Sequence, residues 1–191
     1  MEIEMLNSAF EKMAKQLSLH NEQQHRLAYR DSMTGLRNST SYKAWTDEFD
    51  TKIGDTIKEF GIAVLDINYL KITNDKYGHD VGNQLIVAAA RMISYVFKRS
   101  PVFRVGGDEF VVILQDHDLR DYNELLKVLV SRTKEEFITF GDVKIPISIA
   151  CGVAFYDEAN DKGCADVFKR ADTNMYDNKK DIKIRDNAQN I

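Results

Sequence analysis

Three acidic residues lie beside apolar segments, and their types and spacing could support metal-dependent chemistry. Asp66 lies near the end of a continuous apolar run, while Asp108 and Glu109 directly follow Gly106 and Gly107. A carboxylate in so apolar a run is costly to bury unless a cation or a hydrogen-bond donor pairs with it. Mg²⁺ binds one or two protein carboxylates together with phosphate oxygens. These residues therefore indicate a divalent-cation site for phosphoryl or nucleotidyl transfer, in which charge neutralisation supplies much of the catalysis.

The glycine pair separates two apolar, β-branched runs, a pattern that predicts a β-hairpin. We expect the glycines to supply a positive φ in the turn and to let the phosphates of a ligand come close. The alternative is an ordinary turn with solvated acids, because short motifs often occur by chance. Backbone N–H groups of Tyr69 and Leu70, at the start of a predicted helical turn, could bind phosphate oxygens.

Helices and strands alternate along the chain and must position these residues. Asp66 is expected at the carboxyl end of a buried strand, where ligands gather in such sheets. Pro146 suggests that the strand around it lies at a sheet edge or begins there. From the amino terminus, the predicted elements are a helix over 1–29, a helix over 39–51, a strand over 61–67, a helical turn and loop over 68–78, a helix over 79–98, the two hairpin strands, a helix over 119–140, a strand over 143–153 and a helix over 164–181, before a polar end.

The first 29 residues contain no Pro or Gly and are predicted to form one helix. Its seam residues recur at alternating steps of three and four, which is the heptad pattern of a coiled coil. The alternative is a helix packed on its own domain. We interpret the segment as a dimeric coiled coil whose two polar seam residues weaken the pairing. The seam consists of Ile3, Leu6, Phe10, Met13, Leu17, His20, Gln24 and Leu27.

Composition limits the function classes. A net charge of −4 argues against a general nucleic-acid binder, although it does not exclude a nucleotide substrate. No apolar run is long enough for a transmembrane helix, and Glu2 and Glu4 are unlike the basic start of a signal peptide. Cys151 and Cys164 have neither zinc-site nor disulfide-framework spacing. We expect a cytoplasmic protein without direct membrane insertion.

Four segments, in order, resemble the GGDEF domains, which are diguanylate cyclases. The resemblance covers roughly residues 31 to 183. Each segment alone would be weak, but the four together in this order and spacing are specific. They are the first motif at 31–38, the metal and guanine segment at 66–79, the signature Gly-Gly-Asp-Glu-Phe at 106–110, and part of the closing helix at 171–179.

The resemblance implies an α/β (α+β) fold with a central, mostly antiparallel sheet of about five strands flanked by helices, similar to the nucleotidyl cyclase and polymerase palm. It divides the chain into a signalling helix over 1–29, a catalytic domain over 30–183 and a polar tail over 184–191. The implied reaction condenses two GTP into cyclic di-GMP and two pyrophosphates, using Mg²⁺ or Mn²⁺. It would occur between two protomers that pair through the amino-terminal helix and transiently through facing active sites, under an upstream sensor domain or partner.

The resemblance also implies roles for individual residues. Asp66 and Asp108 would hold the metal ions with the carbonyl of Ile67, and Glu109 would complete the acidic site. Asp108 or Glu109 would help to remove the proton of the 3′-hydroxyl. For the basic residues, the competing interpretation is a solvated helix end. The residues implied to bind substrate are Tyr69, Leu70, Lys71, Gly106 and Gly107 around the phosphates, Asn74 and Asn83 at the base, and Lys179 and Lys183 at the terminal phosphates.

The chain departs from the family pattern in four places. Asn83 replaces an Asp that accepts two hydrogen bonds from guanine, and an amide can offer only one accepting oxygen. Asn68 replaces a frequent Asp, and Lys183 stands where Arg is usual. Residues 97–100 lack the Arg-x-x-Asp pattern of the usual product-inhibition site. The open alternatives are a degenerate nucleotide-binding signalling module, a cyclase that also accepts ATP and makes mixed cyclic dinucleotides, and a piece that only dimerises and transmits signals.

Overall fold

The computed structural model describes residues 7, 10–18, 20 and 28–189. Residues 7, 10–18, 20, 28 and 29 are helical, and Arg30 forms a bridge with Arg37. The predicted seam positions Ile3, Leu6, Gln24 and Leu27 lie outside the described residues. The later elements are α1 (Ser39–Asp50), β1 (Gly61–Ile67), α2 (Leu70–Tyr77), α3 (His79–Val96), β2 (Val102–Arg104), β3 (Glu109–Leu114), α4 (Asp116–Arg120), α5 (Tyr122–Glu135), β4 (Phe137–Phe140), β5 (Val143–Pro146), β6 (Ile149–Phe155) and α6 (Cys164–Gln189).

The main sheet has four strands in the order β2-β3-β1-β6, and every pair is antiparallel. All seven residues of β1 are buried. This explains the continuous apolar run, because a central strand covered on both faces needs no polar alternation. The predicted mixed fold with an antiparallel sheet between helices is confirmed, although the central sheet has four strands instead of about five.

Helices cover both faces of the sheet, and the alternation of side chains along β1 divides the core in two. Leu65 belongs to the cluster that includes Leu85 and Ile93 of α3. Val64 belongs to the opposite cluster, with Phe49 of α1 and Ala171 of α6. The carboxyl end of β1 therefore lies between a helix layer on each side, with α6 over one face.

The region after α5 differs from the sequence prediction. The predicted helix over 119–140 is divided into α4 and α5, and it ends at Glu135. The predicted strand over 143–153 is divided into β5 and β6. Strands β4 and β5 pair with each other as a separate two-stranded sheet. Gly141, with φ of 57°, turns the chain between them.

The last helix, α6, extends to Gln189, eight residues beyond its predicted end at 181. Its middle lies on β6, where Asn174 Nδ2 donates to the carbonyl of Val153 and Asn178 Oδ1 accepts from the N–H of Cys151. Among the helices of the described residues, none has the length and apolar composition needed to cross a membrane.

Candidate active site

Strand register brings the predicted acidic residues to one end of the sheet. Asp66 is paired opposite Glu109 across β1 and β3, and the N–H of Ile67 donates to the carbonyl of Asp108 at 3.1 Å. Asp66 is only 5% exposed. The central strand and the hairpin thus hold three carboxylate-bearing residues beside one another, as the sequence analysis anticipated.

Lys179 reaches this end of the sheet from α6. Its Nζ lies 2.6 Å from Asp66 Oδ1, and the side chains of the two residues are 23% and 7% exposed. Burial raises the pKa of Asp66, the bond to Lys179 opposes this, and the charge of Asp108 adds to the increase, so that the pKa lies above its ordinary value. The ammonium group therefore offsets only part of the cost of placing this carboxylate inside the fold.

Glu109 also carries a raised pKa. Burial contributes most, followed by the negative charges of Asp108, Asp66 and Asp172, whereas Lys179 acts in the opposite direction. Negative charge thus accumulates at this site beyond what Lys179 neutralises, an electrostatic environment that favours the binding of a cation.

These donors suit a cation that is shared with a substrate. Within residues 28–189 and the described parts of the amino terminus, no three His, Cys, Asp or Glu side chains converge on one metal position. Mg²⁺ needs only one or two protein carboxylates when phosphate oxygens and water complete its shell. Asn68, which follows directly after Ile67, also has a buried Oδ1 without a hydrogen-bond partner. The donor set therefore fits Mg²⁺ or Mn²⁺.

The glycine turn does not have the backbone that we predicted. Neither Gly106 nor Gly107 has a positive φ, so the expectation that this turn needs one was wrong. A Cβ at Gly106 would lie 2.8 Å from Oε2 of Glu109, whereas one at Gly107 would meet open space. Gly106 thus allows the close approach of the Glu109 carboxylate, and Gly107 leaves space at the tip.

Arg104 supports the turn, and the sequence analysis did not single it out. Its side chain donates to Asp31 Oδ1 at 2.9 Å and to the carbonyl of Gly107 at 2.8 Å. Burial opposes ionisation of Asp31, but hydrogen bonds from Thr34 and Arg104 outweigh it and lower the pKa of that carboxyl. The available signal was a single charge at the end of an apolar strand. Arg104 thus joins the first motif, 31–38, to the signature turn.

The predicted backbone donors, the N–H groups of Tyr69 and Leu70, lie in the β1–α2 turn. Tyr69 precedes α2 with a left-handed φ of 62°, and the N–H of Asn68 donates to the carbonyl of Ser148. The first N–H groups of an α-helix have no acceptor within the helix. Leu70 is buried and Lys71 is exposed. The two side chains therefore lie in different environments, and what the residues share in this turn is their main-chain N–H groups.

The two predicted base-binding residues lie on neighbouring helices. Oδ1 of Asn74, on α2, would be 1.8 Å from a Cβ at Gly82 of α3, so the Asn74 side chain lies directly against this glycine. Asn83 is the next residue, and it is exposed. It lines a groove of about 480 Å³ between α3 and β4, together with Ile138.

The predicted site residues thus fall into two groups. Asp66, Ile67, Asp108, Glu109 and Lys179 meet at the end of the sheet. The positive charge of Lys183, which is exposed on α6, also lowers the pKa of Asp66. Tyr69, Leu70, Lys71, Asn74 and Asn83 follow along α2 and the start of α3, with Gly106 and Gly107 at the hairpin tip.

Comparisons with known proteins show which family the chain belongs to. Residues 28–185 match the family described as "Diguanylate cyclase, GGDEF domain". The chain is 32% identical over 180 residues to diguanylate cyclase DgcP of Pseudomonas aeruginosa, covering 91% of this chain and 26% of that protein. It is 30% identical over 155 residues to the signaling protein YkoW of Bacillus subtilis, covering 80% of this chain and 19% of that protein. The chain spans between 19% and 40% of the length of the first curated relatives.

Solved structures share the fold. A crystal structure of the coiled coil and GGDEF domain of DgcB from Caulobacter crescentus, in complex with c-di-GMP, has a TM-score of 0.81 at 23% identity and covers 94% of this chain and 95% of that one. Diguanylate cyclase SiaD, in complex with its activator SiaC from Pseudomonas aeruginosa, has a TM-score of 0.73 at 23% identity, covering 94% and 68%. With the family match spanning most of its residues, this chain belongs to the GGDEF domain family of diguanylate cyclases.

Proposed function

We propose that this chain is a diguanylate cyclase that condenses two GTP into cyclic di-GMP and two pyrophosphates. The observation that carries the proposal is the buried Asp66, paired with Lys179 at 2.6 Å and facing Glu109 across the sheet. A domain that only binds nucleotide would have little need for so complete an acidic site. Because the substrate is a nucleoside triphosphate, we place the reaction in the cytoplasm.

In this proposal the acidic residues hold Mg²⁺ or Mn²⁺. Asp66, Asp108 and the carbonyl of Ile67 would bind the ions, and Glu109 would complete the site. The bound metal would neutralise the triphosphate and favour ionisation of the attacking hydroxyl. Asp108 or Glu109 would accept the proton of the 3′-hydroxyl as that oxygen attacks the α-phosphorus of the other GTP and pyrophosphate leaves.

The remaining residues would bind and orient GTP. Lys179 and Lys183 would bind the terminal phosphates, and the N–H groups at the start of α2 (Tyr69, Leu70 and Lys71) would bind phosphate oxygens. Gly106 and Gly107 would admit the triphosphate, and Asn74 and Asn83 would bind the base. Positioning of this kind supplies a large part of the catalysis in phosphoryl and nucleotidyl transfer.

Chromatographic product analysis tests the proposal directly. The protein is incubated with GTP, ATP or both, together with Mg²⁺ or Mn²⁺, and the cyclic dinucleotides are identified. We expect cyclic di-GMP from GTP alone. Nucleotide binding without any product would instead support the second candidate, a degenerate signalling module, whose best support is Asn83 in place of Asp.

Asn83→Asp is predicted to increase the preference for GTP over ATP by about tenfold or more, because a matched hydrogen bond in a site typically contributes about 1–3 kcal/mol. The ratio of kcat/KM for the two nucleotides measures the effect. Gln84→Glu is the matched control, since Gln84 lines the same groove and the substitution adds the same charge. Equal ratios in wild type and Asn83→Asp would show that Asn83 does not read the base.

We further propose that the protein works as a homodimer joined by its amino-terminal helix. Phe10, Met13 and Leu17 are 72%, 67% and 60% exposed on the helical segment 10–18, so these seam residues do not pack on their own domain. Apolar side chains at this spacing suit a second copy of the same helix. The polar seam residue His20 would leave the pairing adjustable by an upstream sensor domain or a partner.

The double variant Phe10→Asp/Leu17→Asp is predicted to be a folded monomer with low activity at low protein concentration and partial recovery at high concentration. A coiled coil gives the two half-sites an effective concentration that can reach about millimolar, and the variant loses it. Light scattering and specific activity against concentration measure this. Lys15→Asp/Ser18→Asp, off the seam, should remain dimeric. An unfolded or fully active dimeric double variant would contradict the coiled coil.

A further inference from the structure

Tyr69 has an unfavourable backbone at the start of the proposed phosphate-binding turn. In the part of the chain that the structure describes, only Tyr69 and Asp116 are non-glycine residues with positive φ, and Tyr69 has the larger value at 62°. A bulky side chain in this region costs free energy, and such residues persist when surrounding contacts hold them. The contacts of Tyr69 are therefore informative.

Its hydroxyl donates a hydrogen bond to Oδ2 of Asp186, at 2.8 Å. Both residues are partly buried. The bond joins two segments that are far apart in sequence, the β1–α2 turn and the last part of α6.

Asp186 shares a helix face with the two lysines proposed to bind phosphate. Lys179, Lys183 and Asp186 are separated by four and then three residues, which places them on one side of α6. Lys179 contacts Asp66 at the end of β1, and Asp186 contacts Tyr69 just beyond it. This face of α6 therefore follows the chain from β1 into the turn before α2.

Apolar packing contributes little to the anchoring of this end of α6. Ile182 is buried, but no side chain from 183 to 188 is buried, and Ile184 is 68% exposed. A helix end without apolar burial depends on its few polar contacts for its position. The hydrogen bond to Tyr69 thus has more influence here than it would in a packed core.

We propose that Tyr69 and Asp186 form a clasp that holds α6 against the β1–α2 turn, so that Lys179, Lys183 and the N–H groups of α2 are arranged together for the terminal phosphates of the substrate. The inference rests on the proposed function for the identity of that substrate. Both side chains are positioning residues in this scheme, since they act through the lysines and the turn. The clasp should therefore affect phosphate binding more than the chemical step.

Tyr69→Phe removes only the hydroxyl and keeps the ring. We expect KM for GTP to rise about three- to tenfold with kcat within about twofold, because one hydrogen bond to a charged, partly exposed group is lost. Calorimetry with pyrophosphate and Mg²⁺ should show binding weakened by the same factor. Tyr95→Phe is the matched control: Tyr95 is exposed on α3, its ring packs with Arg132, and no change is expected.

Asp186→Ala distinguishes a positioning role of Asp186 from a direct effect of its negative charge. Removing a negative charge near a phosphate site should by itself strengthen pyrophosphate binding, whereas loss of the clasp should weaken it. We expect weaker binding, with substantial recovery in Asp186→Asn, whose amide oxygen can still accept from Tyr69. In the double variant Tyr69→Phe/Asp186→Ala, the loss should be smaller than the product of the two single losses.

Wild-type pyrophosphate affinity in Tyr69→Phe, tighter binding in Asp186→Ala, or no pyrophosphate binding by the wild type would overturn the clasp. The two proposals can fail separately. A wild type that binds pyrophosphate, responds to these variants and yet makes no cyclic dinucleotide would retain the clasp and refute the cyclase activity. An active wild type whose variants bind pyrophosphate and turn over GTP normally would refute the clasp and retain the cyclase activity.

Discussion

Asp66→Asn is expected to lower cyclic dinucleotide synthesis by about a thousandfold or more, since it removes a charged metal ligand from a site that works by charge neutralisation. Asp108→Asn should have a similar effect. The substituted side chain has nearly the same shape, so the loss would reflect charge and not packing. Initial rates of product formation at saturating Mg²⁺ measure the loss.

The fold should survive the Asp66 substitution. Lys179 loses its charged partner, but burial already raises the pKa of Asp66 and so disfavours its carboxylate in the folded protein. These effects oppose each other, and we expect the melting temperature without metal to change by only a few degrees. Asp47→Asn, at an exposed position of α1, is the control and should keep full activity. Normal synthesis by either active-site variant would refute the assignment of the metal site.

Gly152→Ala is expected to destabilise the protein strongly and to lower its activity. A Cβ at Gly152 would lie 2.0 Å from the backbone nitrogen of Met175 and 2.3 Å from the carbonyl oxygen of Ala171. Backbone atoms of α6 cannot move away as a flexible side chain can, so the helix must shift from β6. Overpacking of this kind costs about 3 kcal/mol or more, which corresponds to a fall of roughly 10 °C in the melting temperature.

Activity should fall with stability in this variant, because the same helix carries Lys179 to Asp66. Thermal melting and initial rates at a temperature where the variant is folded measure both effects. Gly61→Ala is the control on the neighbouring strand, since its nearest contact is the ring of Phe155 at 3.0 Å, which can rotate. A melting temperature for Gly152→Ala equal to that of the control would contradict this close helix–strand packing.

The central part of the fold could be predicted because the local pattern of apolar and turn residues there matches their burial and position in the folded protein. The apolar run 61–67 is buried on both faces as β1, and the hairpin around Gly106 and Gly107 forms between β2 and β3. The sequence predicts a helix over 137–140, because this segment continues an apolar helical pattern. Its aromatic and β-branched residues, followed by Gly141, instead form a separate hairpin.

The site, like the fold, has a part that could be predicted from the sequence and a part that could not. The acidic residues could be predicted, because charges in apolar runs are conspicuous and the four motifs resemble a known family. Their partners could not be paired from pattern alone. Lys179 lies 113 residues from Asp66, and Asp186 lies 117 residues from Tyr69. No periodicity connects positions so far apart, and only the docking of α6 on the sheet brings them together.

Arg104 has a consequence for signalling. It bonds at once to Asp31, just after the predicted amino-terminal helix, and to the carbonyl of Gly107 at the tip of the hairpin. If a displacement of the segment before α1 changes the free energy of the hairpin tip, thermodynamic linkage requires the reverse effect to be equally large. GTP bound at the tip would then alter the affinity of whatever acts on the amino-terminal helix by the same factor. An upstream partner would thus sense nucleotide occupancy as well as control it.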